Sequence, residues 1–251
     1  MGPSVGADSV PAAAAPSASR PRIILNRFIF RGMLFSMGSI AVGMSLVLRN
    51  ERVVWRFAKA QARNLARLCG VRVHVRGVEH LGAGPYVFAP NHQSHFDIVA
   101  LLGYLPGNNR FAAKTELFRE PVLGMVLRRM GMIPIDREDA ANAIERMNDF
   151  SAGGRSAIIF PEGSRSRDGR LLPFKKGAFV TAIRAGMPIV PVVCKGSQKI
   201  MPKGGYLSIV PGDVEIVILP PLPTTGLGYA DRDELAERVR ALIAAELSRT
   251  A

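Results

Sequence analysis

The sequence predicts an α/β domain, with a mainly parallel or mixed central sheet flanked by helices, preceded by an N-terminal two-helix membrane anchor. Three observations predict it. Short apolar runs alternate with helical patterns from residue 71 onwards. Two polar segments rich in reactive side chains each follow a buried-looking strand, where open α/β sheets place their ligands. Most of the positive charge lies in the first third of the chain, beside its longest apolar run.

The 251 residues are 48% hydrophobic and 21% charged, which excludes a mostly disordered chain. Two cysteines, Cys69 and Cys194, exclude a disulfide framework and a four-thiolate zinc site. The formal charge of +13 implies an anionic partner. Residues 1–76 hold 12 Lys and Arg against 2 acids, and the remainder 21 against 18, so +10 of the charge is N-terminal.

Residues 1–21 contain 16 Gly, Ala, Pro or Ser and read as a disordered tail. Residues 22–70 read as an anchoring motif of two helices. The first is Ile23 to Leu48, apolar but broken by Arg27 and Arg31. Its uncharged run, Gly32–Leu48, has 17 residues, whereas a straight bilayer span needs roughly 20. Arginines flank both ends, so no orientation across a membrane is favoured. A segment that enters one leaflet and returns on the same side fits both facts. The second helix is Glu51 to Cys69. Arg52, Arg56, Lys59, Arg63 and Arg67 form one stripe along it, opposite Val54, Phe57, Ala58, Leu65 and Leu68. That pattern suits an anionic bilayer surface. It equally suits a helix packed on a core with a solvated basic face, and the adjoining apolar segment favours the membrane.

Residues 71–251 form the α/β domain. Val71–Val75 alternates like a strand with one wet face, and Tyr86–Ala89 is a buried strand. Ile98–Tyr104 is helical, Phe111–Ala113 a strand, Pro121–Met130 a helix, Met132–Ile135 a strand and Ala140–Phe150 a helix. Ala157–Phe160 is a buried strand. Gly177–Ala185 is a helix that Gly186 ends. Pro188–Val193 is a strand whose internal proline favours an edge or a bulge. Tyr206–Val210 and Glu215–Leu219 suggest a hairpin, and Asp231–Leu247 is the terminal helix.

No nucleophile elbow, H-E-x-x-H, Walker loop or dinucleotide fingerprint occurs. What stands out is Asn91-His92-Gln93-Ser94-His95-Phe96-Asp97. His92 in a loop and Asp97 in a first helical turn can meet, giving a general base held by a carboxylate. The same residues also read as a helix cap, Ser94-x-x-Asp97, beside an ordinary loop histidine. His95 is a second candidate without an equally placed carboxylate. In Phe160-Pro161-Glu162-Gly163-Ser164-Arg165-Ser166-Arg167, Gly163 permits a tight turn, and Arg165 and Arg167 can fork onto phosphate oxygens. Such a segment also fits a polar surface loop. Gly131–Arg137 is a strand ending in a charged pair, where Arg137 can bind phosphate or pair with Asp136 or Glu138.

Together these segments resemble the 1-acylglycerol-3-phosphate acyltransferase family. Asn91–Asp97 matches its N-H-x-x-x-x-D motif, Gly131–Arg137 its second, Phe160–Arg165 its F-P-E-G-[ST]-R and Ile189–Val193 its fourth. Each segment is short, but all four in this order form a specific pattern over roughly residues 70–220.

The resemblance implies direct transfer of a fatty acyl group from acyl-CoA or acyl carrier protein to the sn-2 hydroxyl of 1-acylglycerol 3-phosphate, giving phosphatidate. It implies that His92 is the catalytic base and Asp97 its support. It implies that Glu162, Gly163, Ser164 and Arg165 bind the glycerol phosphate, with Arg137 and Lys114 as further phosphate or oxyanion contacts. No metal and no cofactor are expected, since the acyl thioester enters as substrate. The expected partners are an anionic membrane surface, a lysophospholipid acceptor and the acyl donor. Nucleic acid is not expected, because the basic residues adjoin an apolar segment and aromatics make up 7%. A composition high in Ala, Gly and Arg points to the cytoplasmic face of a bacterial inner membrane. Acyltransfer to another acceptor, such as a lyso-ornithine lipid, is the alternative reaction. A non-catalytic basic membrane-binding protein is the alternative of another class.

Overall fold

The computed structural model describes residues 19–47, 51–135, 153–166, 169–202 and 208–249. Two helices come first, α1 (Arg20–Val47) and α2 (Glu51–Leu68). Then follow β1 (Val71–Arg76), β2 (Val87–Pro90), α3 (Phe96–Tyr104), β3 (Asn109–Lys114), α4 (Thr115–Arg119), α5 (Pro121–Arg129) and β4 (Ile133–Ile135). After these come β5 (Ser156–Ile158), α6 (Gly177–Arg184), β6 (Ile189–Lys195), α7 (Ser197–Ile200), β7 (Gly212–Ile218) and α8 (Arg232–Ser248). The expected helix at Ala140–Phe150 lies outside the described residues, as does the tail up to residue 18.

The strands form one mixed sheet in the order β1-β7-β6-β2-β5-β3-β4. β6, β2, β5, β3 and β4 run parallel. β7 is antiparallel to β6 and parallel to β1, so β1 and β7 run against the other five. The expected hairpin does not form among the described residues. Ser208–Val210 is not a strand, and β7 pairs with β6 instead. Pro191 is also not at an edge, because β6 lies between β7 and β2. It is tolerated because its missing N–H faces the end of the β7 ladder, where its carbonyl still accepts from Leu219 N at 3.0 Å.

Alternating residues of each buried strand serve two cores. Phe88, Val190 and Val192 pack under α2 and α3, against Trp55, Ala62, Leu65, Phe96 and Leu101. Val87, Ala89, Ile189 and Val193 pack under α6 and α8, against Phe179, Ala182, Val239 and Ile243. The sheet is therefore covered on both faces, as a mainly parallel sheet requires.

This arrangement revises the reading of the N-terminal helices. Of the expected membrane-facing residues of α2, Val54, Ala58 and Leu65 are buried against protein. Part of the basic stripe is taken up as well. Lys59 Nζ donates to the carbonyls of Leu105 (2.9 Å) and Gly107 (2.7 Å), and Arg63 Nε donates to Gly103 O (2.7 Å). The Gly103 and Leu105 carbonyls end α3, where the helix dipole favours cations, and Gly107 lies in the turn that follows. An amphipathic helix whose apolar face meets a sheet has the same sequence pattern as one whose apolar face meets lipid. α1 is fixed to the domain too: buried Asn26 donates through Nδ2 to Cys69 O (3.0 Å) and Ile209 O (2.9 Å). No described helix is long and apolar enough to cross a membrane.

Candidate active site

The parallel strands β2, β5 and β3 end at one edge of the sheet, and the polar motifs extend from there. Asn91, the first residue past β2, continues the ladder with its side chain. Cys194 N donates to its Oδ1 at 2.7 Å and its Nδ2 donates to Cys194 O at 3.1 Å. The chain is thus held against β6 up to the residue before His92.

His92 is fixed from four directions. Its Nδ1 lies 2.8 Å from Asp97 Oδ2. Its N–H donates to Glu162 Oε1 (2.7 Å), and its C=O accepts from Ser166 N (2.9 Å). Its ring stacks on Phe160, with centroids 4.0 Å apart. Phe160 stacks in turn on Phe111 at 6.3 Å. The imidazole side chain is 12% exposed, and Nε2 has no hydrogen-bond partner among the described residues.

Asp97 is fully buried in the first turn of α3. Its Oδ2 also accepts from Gln93 N and Ser94 N, each at 2.8 Å. The cap and the histidine partner are therefore the same oxygen, and the two readings of the motif are not exclusive. The helix begins one residue later than the capping pattern predicts. Ser94 Oγ accepts from Phe96 N (3.1 Å) and donates to Met201 O (2.7 Å). With the carboxylate accepting a hydrogen bond from Nδ1–H, Nε2 is the ring nitrogen available as a proton acceptor.

Glu162 is 2% exposed, and both its oxygens are engaged: Oε1 by His92 N, Oε2 by Leu172 N at 2.9 Å. Burial raises its pKa, and the two backbone N–H groups offset part of that rise. Gly163 has φ +65°, in the left-handed region that favours glycine. A Cβ there would lie 3.0 Å from Lys175 Nζ, so a lysine ammonium packs over this turn. Ser164 is exposed and Arg165 half-buried. His95 is exposed, yet its pKa is lowered, first by partial burial, then by the positive charge of Arg165.

Lys114 ends β3 at the same edge and is exposed. β5 separates β3 from β2, which places these backbones about 10 Å apart at the usual strand spacing. Among the described residues Lys114 makes no hydrogen bond or ion pair with the dyad, but it overlooks the same edge. Arg137 lies outside the described residues. Sequence reasoning missed Phe160 as the platform for His92. An aromatic residue at the end of a buried strand, just before the Pro-Glu-Gly turn, was the available signal. Among the described residues no group of His, Cys, Asp and Glu could hold a metal ion.

The arrangement can do proton chemistry: a rigid imidazole with one nitrogen engaged and the other available, beside a basic turn. Comparison with known proteins points the same way. A family model described as Acyltransferase matches residues 72–195, which include the whole dyad. The 1-acyl-sn-glycerol-3-phosphate acyltransferase BAT2, chloroplastic, of Brassica napus is 40% identical over 60% of this chain and 45% of its own. The chain thus spans less than half of that relative. The 1-acyl-sn-glycerol-3-phosphate acyltransferase alpha of Homo sapiens is 33% identical over 84% of this chain and 76% of its own. The crystal structure of the 1-acyl-sn-glycerophosphate acyltransferase PlsC from Thermotoga maritima superposes with a TM-score of 0.73 at 24% identity, covering 91% of this chain and 97% of that one. That likeness shows a shared fold.

Proposed function

The chain belongs to the 1-acyl-sn-glycerol-3-phosphate acyltransferase family, a family of O-acyltransferases, and we propose that it transfers a fatty acyl group from acyl-CoA or acyl carrier protein to the sn-2 hydroxyl of 1-acylglycerol 3-phosphate. The observation that carries the reading is the 2.8 Å contact between His92 Nδ1 and Asp97 Oδ2, which leaves Nε2 as the acceptor nitrogen at the ligand-binding edge of the sheet.

In this reading Nε2 of His92 takes the hydroxyl proton as the acceptor oxygen attacks the thioester carbonyl. The carbonyl electrons move onto oxygen, giving a tetrahedral oxyanion. Collapse of that intermediate breaks the C–S bond, and the thiolate takes the proton back from His92. Phosphatidate and the free thiol leave, and no acyl group is ever bonded to the enzyme. Asp97 keeps Nδ1 protonated and stabilises the transient imidazolium. Phe160, stacked face to face on the ring, fixes its plane and offers a π face to the same cation.

The acceptor phosphate falls to Arg165, with the exposed Gly163–Ser164 turn and Lys175 beside it. Lys114 and Arg137 are further cations for the phosphate or the oxyanion, in the form the resemblance implies. The reaction needs neither metal nor cofactor.

We also assign the enzyme to an anionic membrane surface. The exposed apolar residues Ile24, Leu25 and Phe28 of α1 support this, with Arg20, Arg27 and Arg31 on the same helix. They lie at the catalytic end of the molecule. Asn26 among them bonds to Cys69 and Ile209, just ahead of β1 and β7, whose starts lie at the edge where β2 ends.

The test is transfer of radiolabelled oleate from oleoyl-CoA to lysophosphatidate, with His92→Ala beside the wild type. Labelled phosphatidate from the wild type alone is expected. No product from wild type with either CoA or carrier-protein donors would refute the assignment.

A further inference from the structure

We propose that Glu162 is a positioning residue for His92 and does not touch the acceptor. This rests on the reading of His92 as the general base. It differs from the role that the family resemblance implies, in which Glu162 helps to bind the glycerol phosphate.

Three observations carry it. First, a carboxylate that orients a substrate must present an oxygen to it. Glu162 is 2% exposed, and each oxygen already accepts a backbone N–H at 2.7–2.9 Å. With Glu162 this buried, a ligand hydroxyl could reach a remaining lone pair only by opening the turn that covers it, at the expense of these charge-assisted bonds.

Second, one of the two donors is His92 itself. The backbone of the base is held by Glu162 at its N–H and by Ser166 N at its C=O, and the ring rests on Phe160. The segment from Phe160 to Ser166 therefore grips a single residue of the other motif on three sides. Asp97 sets the rotation of the imidazole, and Glu162 sets where the ring is carried. An error of about 1 Å in such a placement is enough to cost on the order of a hundredfold in rate.

Third, the N–H groups of His92, Gln93 and Ser94 are consecutive, and successive backbone donors of this kind form anion-binding concavities. Here all three are taken by the protein's own carboxylates, His92 by Glu162 and the other two by Asp97. The turn is closed to a phosphate or an oxyanion. Recognition of those groups passes to side-chain cations, while the two acids complete the scaffold that holds the base. The second oxygen of Glu162, bonded to Leu172 N, closes the loop that carries Arg165. One buried carboxylate thereby fixes the distance between the base and the phosphate-binding turn.

The experiment compares full-length Glu162→Gln and Glu162→Asp with the wild type in two measurements. One is steady-state transfer from oleoyl-CoA to lysophosphatidate. The other is the imidazole 15N–1H spectrum of the protein without substrates, with the His92 signals identified by their loss in His92→Ala. Glu162→Gln replaces one acceptor oxygen by an NH2 group that opposes a backbone N–H, and Glu162→Asp shortens the reach by one methylene. We expect kcat to fall at least tenfold in both, KM for lysophosphatidate to stay within twofold, and the His92 ring signals to move in the substrate-free protein. A tenfold rise in KM at unchanged kcat would overturn the proposal and return Glu162 to the acceptor site. So would unmoved His92 signals in both variants. Loss of the native circular dichroism spectrum in both would place Glu162 in the stability of the core and also overturn it. A wild type that transfers no acyl group would sink the reaction proposed above, while the imidazole spectrum would still decide the role of Glu162.

Discussion

Asp97 meets His92 through one oxygen: Oδ2 lies 2.8 Å from the imidazole Nδ1, while Oδ1 is buried with no hydrogen-bond partner among the described residues. The same Oδ2 accepts the N–H groups of Gln93 and Ser94. It thus shapes the loop and orients the ring at once. Asp97→Asn retains the size and one acceptor oxygen but lets the imidazole adopt the wrong tautomer. We expect kcat to fall by about 10²–10⁴, the range seen when a base loses its carboxylate or its proton-transfer role. The circular dichroism spectrum should be native. An Asp97→Asn enzyme within threefold of wild-type kcat would remove the dyad from the mechanism.

Arg165 sits half-buried next to the exposed turn at Gly163, and its charge is felt at His95. A charge-assisted hydrogen bond to a phosphate contributes about 1.5–3 kcal/mol. Arg165→Ala is therefore expected to raise KM for lysophosphatidate by about 10- to 150-fold on that scale. A phosphate-free monoacylglycerol acceptor should be used equally by both enzymes. Equal loss with both acceptors would mean that Arg165 supports the loop and does not bind phosphate.

The parts of this site that could be read in the sequence are those built from neighbours. His92 and Asp97 are five residues apart, so one loop and one helical turn bring them together. The bond between His92 and Glu162 spans 70 residues and uses a backbone donor, which leaves no mark in residue type. The strands were legible for the same local reason, Tyr86–Ala89 among them as a buried run, which the fold divides between the two cores. The reversed direction of β1 and β7 was not, because strand direction depends on connections that residue pattern does not encode. The burial of α2 was one of the two readings its pattern allowed, but the docking of its basic stripe on α3 was not legible. Lys59 and Arg63 belong to a basic stripe in sequence and to the end of α3 in space.

Lys59 offers a test of that burial by pH. Desolvation, with smaller repulsion from Arg63 and Arg110, lowers its pKa from 10.5 to about 8. Between pH 8 and 10.5 the folded chain has released a proton that the unfolded chain still holds. The unfolded state then binds more protons, so this group makes stability rise with pH across that window. Lys59→Met lacks the titration. The difference in unfolding free energy, wild type minus variant, should grow from pH 8 to 10.5 in urea titrations. A flat difference would mean that the ammonium is solvated and α2 is not packed as described.

Glu246 titrates with the opposite sign. Its side chain on α8 is 7% exposed and lies 2.9 Å from Lys195 Nζ at the end of β6 and 3.3 Å from Arg76. The hydrogen bond from Lys195 is the main cause that lowers its carboxyl pKa. The contribution is present above the ordinary carboxyl value of 4.5 and is lost as pH falls through the lowered one. Glu215 still faces Lys195 at 3.9 Å and also pairs with Arg76, so Glu246→Gln removes one of two counter-charges and should cost about 1 kcal/mol at pH 7. The cost should shrink towards zero as wild type and variant are compared at progressively lower pH below 4.5. A cost independent of pH would assign the loss to packing of α8.

Phe28 is 69% exposed on α1, with Ile24 and Leu25 one turn or less away. Water gains nothing from three large apolar side chains on one helix, whereas a lipid interface takes them in. Burying one such side chain contributes about 1.5–3 kcal/mol. Phe28→Asp should therefore weaken flotation with phosphatidylglycerol-containing vesicles by at least tenfold. The neighbouring arginines should make wild-type binding fall as salt rises. Phe28 makes no contact with the dyad, so transfer to lysophosphatidate dispersed in detergent should be unchanged. Loss of activity in detergent would show that α1 serves the catalytic domain itself, and unchanged flotation would move the lipid contact to another face.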